Sequence, residues 1–113
     1  MARENDYFRR EVRTAGHSQI VLMTIPPGGE IGEEAHEGHD QLLVFVEGEG
    51  EAVLEGASSP VGAGDAVLVP DGMRHNFVNT GSGPLCLWTL YAPPEHAPGT
   101  MHETKAEADA AEA

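Results

Sequence analysis

The chain has 113 residues and a formal net charge of −13, with Lys105 its only lysine and Cys86 its only cysteine. So acidic a surface repels phosphate backbones and argues against a nucleic-acid partner. One thiol cannot close an internal disulfide, and no apolar run reaches the roughly 18 residues that a membrane helix needs.

The polar start at residues 1–6 has no apolar stretch behind it that could serve as a signal peptide, so the expected location is cytoplasmic. Fourteen glycines and eight prolines set between short apolar runs predict a single all-β domain rich in turns. Residues 1–7 read as loose. Residues 8–14 read as a first edge strand, completing an N-terminal arm over residues 1–17. A confident strand follows at residues 18–25, rich in β-branched side chains, and Pro26, Pro27, Gly28 and Gly29 force a turn. Residues 30–36 are ambiguous by propensity, and Gly32 favours an extended segment near a bend. Residues 40–47 make the strongest strand pattern. Gly48, Glu49 and Gly50 read as a hairpin turn, residues 51–55 as its return strand and residues 56–60 as a loop.

The stretch from Gly64 to Asn79 reads as strand, tight turn, strand. Pro70 ends the first ladder because it has no N–H. Gly72 supplies a position where φ can be positive, and His75 follows as the chain re-enters a strand. A loop at residues 80–84 leads to a strand at residues 85–91. Strands this short, separated at near-regular spacing by turn signals, predict a sandwich or barrel, and a jelly roll hides its sheet edges best. The barrel is expected over residues 18–92. Beyond it, residues 93–113 read as a proline-rich linker and an acidic, solvated tail.

Gly64, Pro70, Gly72, His75 and Asn79 stand at the spacing of the second motif of the cupin superfamily, and the chain resembles a small single-domain cupin. The resemblance implies a double-stranded β-helix, or jelly-roll barrel, that holds a metal. The first motif resembles the family's pattern from Gly28 to Gly48, with two departures. Glu34 stands at the first histidine position and Gln41 at the glutamate position, with His36 at the second histidine position. Glu34 and His36, two apart, share a strand face. A bulge would instead let His39 serve in place of Glu34. The implied ligand set is therefore Glu34 or His39 with His36, Gln41 and His75. Imidazole and carboxylate donors suit Fe, Mn, Ni or Zn better than Ca. The neutral Gln41 oxygen is either a weak ligand or a hydrogen-bonding support.

The resemblance implies a metal-dependent enzyme acting on a small organic molecule, dioxygenase-like or sugar-isomerase-like, with Glu34 as general base if it is not a ligand. The scarcity of cations counts against a sugar phosphate. The alternative is a non-catalytic cupin that binds a sugar or another small ligand. A homodimer through the outer sheet is also expected. His17, His96 and His102 read as exposed, and Cys86 as a small buried hydrophobe.

Overall fold

The computed structural model describes residues 1–35 and 37–112. The chain forms β1 (Arg9–Thr14), β2 (Gln19–Ile25), β3 (Asp40–Glu47), β4 (Glu49–Leu54), β5 (Ala57–Gly62), β6 (Ala66–Val69), β7 (His75–Asn79), β8 (Leu85–Ala92), β9 (Met101–His102) and α1 (Lys105–Glu112). Every strand pair is antiparallel. One sheet runs β6-β3-β8-β2-β1-β9 and the other β5-β4-β7. This is the all-β jelly roll that the turn spacing and the resemblance predict.

The core lies between the sheets, where period-two alternation turns one face of each strand inward. Val21, Met23 and Ile25 of β2, Leu43 and Phe45 of β3, and Leu85 and Leu87 of β8 are fully buried against Phe77 of β7. The rings of Phe45 and Phe77 meet across the gap at 5.7 Å. Burial of side chains this size contributes about 1.5–3 kcal/mol each.

The second sheet has an irregular fourth member. Residues 28–34 run beside β7: Ile31 N–H donates to the Phe77 carbonyl at 2.9 Å, and Asn79 N–H to the Gly29 carbonyl at 2.9 Å. Gly32, at φ +105°, interrupts the ladder, and its N–H turns instead to the Asn76 side chain. The extended segment expected at residues 30–36 is thus, over its described part, a broken strand pinned to β7.

Five readings need correction. The strand at residues 8–14 is not an edge strand, because β9 pairs with its outer side at Arg9 and Arg10. Residues 48–50 are not a hairpin. β3 pairs with β6 and β8, while β4 pairs with β5 and β7. Gly48 alone, at φ +96°, is a corner where the chain changes sheets. Residues 56–60 are not a loop but most of β5. This edge strand tolerates Pro60 because no further neighbour needs its missing N–H. The start of the chain is tied down: Asn5 is buried and donates to Thr24 Oγ1 at 3.0 Å, and Thr24 returns a bond to the Asn5 carbonyl. The stretch read as a solvated tail forms β9 and α1. Thr104 and Glu107 make a capping box at the start of α1, and Ala108, 1% exposed, docks the helix on the barrel.

A Cβ on Gly48 would collide with the Pro84 carbonyl oxygen and lie 2.9 Å from Leu85 Cα, in a backbone region that side chains disfavour. Gly48→Ala should therefore cost more than about 2 kcal/mol in urea denaturation, whereas Gly83→Ala, which meets open space, should stay within about 0.5 kcal/mol.

Candidate functional site

The open end of the barrel is marked by the turn after β6. Asp71 Oδ1 accepts from Gly38 N–H at 2.8 Å, and Asp71 N–H donates to Asp40 Oδ1 at 2.9 Å. These bonds tie the start of β3 to the start of β7, so Gln41 and His75 stand at the same end. Their partners there are set by sheet register. Gln19, Tyr91, Gln41 and Val69 form one inward-facing row across β2, β8, β3 and β6. All four are at most 3% exposed.

His75 is the first residue of β7, immediately after the turn. Met73 N–H closes that turn on the Pro70 carbonyl at 3.1 Å, and His75 Nδ1 donates to the Met73 carbonyl at 2.9 Å. A carbonyl only accepts, so Nδ1 carries the proton in this contact. Directly across from it, Glu34 and His75 exchange both backbone N–H···O bonds at 2.9 Å. Residues paired in this way project their side chains to one face. Glu34 Oε1 lies 3.9 Å from His75 Nε2, with the imidazole 2% exposed and the carboxylate 25%. The two side chains converge without a direct hydrogen bond.

Gln41 donates through Nε2 to Thr89 Oγ1 at 3.0 Å. Its Oε1 is buried and accepts no hydrogen bond among the described residues. His36 lies outside the described residues. His39 is brought elsewhere: Nδ1 donates to the Pro93 carbonyl at 2.8 Å, and Nε2 lies 3.0 Å from Glu95 Oε2. The structure thus brings Glu34 and His75 together and places Gln41 at the same end. It engages both ring nitrogens of His39 with the segment after β8.

Two residues at this end were not singled out by sequence reasoning. Tyr91 is fully buried in the same row as Gln41, and His96, read as exposed, packs edge-on against the Tyr91 ring at 5.2 Å. Period-two reading of β8 could have placed Tyr91 inward. No local signal announces His96. His102 is also half-buried, with Nδ1 3.4 Å from Arg9 Nη1. Arg74 turns outward to Glu33 at 2.9 Å. Burial pushes the Cys86 thiol up from its ordinary pKa, which keeps it protonated and unreactive.

Residues 21–91 match the family model for a cupin domain, and the chain belongs to that family. Among solved structures, a Bacillus halodurans protein superposes with a TM-score of 0.95 at 42% identity, covering 96% of this chain and 87% of that one. KdgF from a Halomonas species superposes at 0.73 with 26% identity, covering 77% and 78%. Among curated proteins, YrkC of Bacillus subtilis is 43% identical over 97% of this chain and 62% of its own length. A Thermotoga maritima protein named for oxalate binding is 35% identical over 62% of this chain and 60% of its own length. The chain thus spans about three fifths of the length of these curated relatives.

Cupin domains often bind transition metals. Among the described residues, no three His, Cys, Asp or Glu side chains converge as a metal group. The pair that does converge fits one: donors about 2.0–2.2 Å from a shared ion lie at most about 4.4 Å apart, and Glu34 Oε1 and His75 Nε2 are 3.9 Å apart. The buried acceptor of Gln41 suits the same role.

An unsatisfied buried oxygen is a cost to the fold unless something meets it there. Gln41→Leu should therefore change stability by no more than about 1 kcal/mol in thermal or urea unfolding. A loss well beyond that would make Gln41 a structural residue.

Proposed function

We propose that this chain is a metal-binding cupin whose barrel mouth holds a divalent transition metal (Fe, Mn, Ni or Zn) and acts on a small organic acid. The observation that carries the reading is the Glu34–His75 pair, fixed by a two-way backbone bridge, its side chains converging at the open end of the barrel. His75 Nε2 and Glu34 Oε1 would hold the ion, with His36 as the further ligand implied by the family motif. The Gln41 amide would accept from, or orient, a bound molecule at the inner wall. A metal there would supply a Lewis-acid centre that polarises a substrate oxygen.

An acid is favoured over a phosphorylated sugar by the placement of charge. Arg74, next to His75 in sequence, is drawn outward by Glu33 and offers the site no clamp. The anionic group would then be met by the metal itself. The name of one relative, an oxalate-binding protein, agrees with a small acidic ligand. If Glu34 is not a ligand, its 25% exposure suits it to act as base: a carboxylate that reaches solvent can take a proton from substrate and pass it out.

Elemental mass spectrometry of protein purified without added metal tests this. Near-stoichiometric metal is expected in the wild type and in His39→Ala, with roughly tenfold less in His75→Ala and Glu34→Ala. Retention in Glu34→Ala with loss in His39→Ala would move the ligand to His39 and leave Glu34 as the base. No metal in the wild type after reconstitution would favour the non-catalytic binding module instead.

We also propose a homodimer. Leu68, Leu42, Leu90 and Ile20 stand in register across β6, β3, β8 and β2 on the outward face, with Leu68 62% and Ile20 37% exposed. An apolar row of this kind is a surface for a self-complementary partner. Light scattering should give twice the 12.0 kDa chain mass, and Leu68→Glu should return it to the single-chain value.

A further inference from the structure

Beyond β8 the chain does not simply leave the barrel. Residues 93–96 are gripped by three side chains, two of them, Gln19 and Tyr91, from the inward row of β2 and β8. His39, two residues before inward-facing Gln41, holds the Pro93 carbonyl and the Glu95 carboxylate. Tyr91, 1% exposed, carries the His96 ring at 5.2 Å and 83°, an edge-to-face contact. Gln19, also 1% exposed, commits its whole amide here. Its Oε1 accepts from Glu95 N–H at 3.2 Å and His96 N–H at 3.0 Å. Its Nε2 donates to the His96 carbonyl at 2.6 Å and to Thr14 Oγ1 at 2.8 Å.

A segment that merely ran along the rim would be held by outward or edge groups. One held by the buried Gln19 and Tyr91 of the inward row lies against the inner wall at this end. A fully buried glutamine whose four hydrogen bonds are all made, three of them to one short segment, marks a built feature rather than a loose linker.

We propose that the Pro93–His96 strap is a wall of the ligand site and that His96 is the residue on it that controls access to His75. This rests on the reading of the barrel mouth as the site but not on the presence of a metal. A molecule approaching His75 along the β2–β8–β3 wall would then pass the His96 ring seated on Tyr91. Gln19 acts through the strap, as a positioning residue. His39 does the same, with both ring nitrogens directed to the strap.

The test is site-resolved modification of the metal-free protein by diethyl pyrocarbonate, with each histidine followed by peptide mass spectrometry. His17, which is exposed, is the internal reference. In the wild type His75 should react roughly tenfold more slowly than His17. His96→Ala and Gln19→Leu should each raise the His75 rate at least about fivefold and leave His17 unchanged. His96→Phe, which keeps a ring on Tyr91, should restore the shielding, an outcome that general loosening of the fold would not give. Circular dichroism and thermal melting check that the variants are folded. If Gln19→Leu does not fold, Glu95→Ala, which releases the strap from His39 at a half-exposed position, takes its place. Unchanged His75 reactivity in folded His96→Ala would overturn the proposal while leaving the metal reading intact. A wild type that takes up no metal would sink the metal reading and leave the strap result standing.

Discussion

The fold depends on one place where the chain passes from one sheet to the other with no loop at all. Gly48 sits between the last residue of β3 and the first of β4, at φ +96°, pressed against the backbone of Pro84 and Leu85. Because no slack separates the two strands, the register of one sheet dictates the register of the other. Phe45 is thereby placed to meet Phe77, and the inward face of β3 looks across at the inward face of β7. A longer connection would let either sheet slide by a residue, which would turn every inward side chain out.

The same constraint reaches the candidate site through β7. Residues 28–34 bond along the outer side of β7 and skip one rung at Gly32, where Asn76 takes over the missing acceptor role. The skipped rung sets the parity with which Glu34 arrives opposite His75. A carboxylate thus stands where the family motif has a histidine, and it gets there by backbone pairing rather than by side-chain attraction. At 3.9 Å the two groups are close enough to share a small cation and too far apart to satisfy each other directly.

Much of this was legible in the residues. The strands at residues 18–25, 40–47 and 85–91 carried enough β-branched and apolar side chains to be read within a residue or two. The turn chemistry around Pro70 and Gly72 located His75. What failed did so for definable reasons. Residues 57–60 have no alternation to read, because this part of the edge strand is exposed on both faces and only Val61 turns inward. Gly48-Glu49-Gly50 has hairpin composition, and only tertiary packing makes Gly48 a corner. The Thr104-Lys105-Ala106-Glu107 capping box was present, but a helix docked by one alanine lacks the bulky stripe that sequence reading looks for. Of the candidate site, Glu34, Gln41 and His75 were named by motif spacing. The place of His96 could not be read, because it depends on a buried glutamine 77 residues earlier in the chain.

Asn79 gives the opposite end of the barrel its character. Its side chain is 2% exposed and fully engaged, with Nδ2 donating to the Ile25 and Gly83 carbonyls and Oδ1 accepting from Gly81 N–H. Those bonds staple the exit of β2 to the β7–β8 turn beneath a floor of Ile25 and Leu85, both wholly buried. The vessel is therefore stoppered at the base. A ligand held at the Tyr91 end, as proposed, would then have to turn around and leave the way it came, so that a lingering occupant would block its successor.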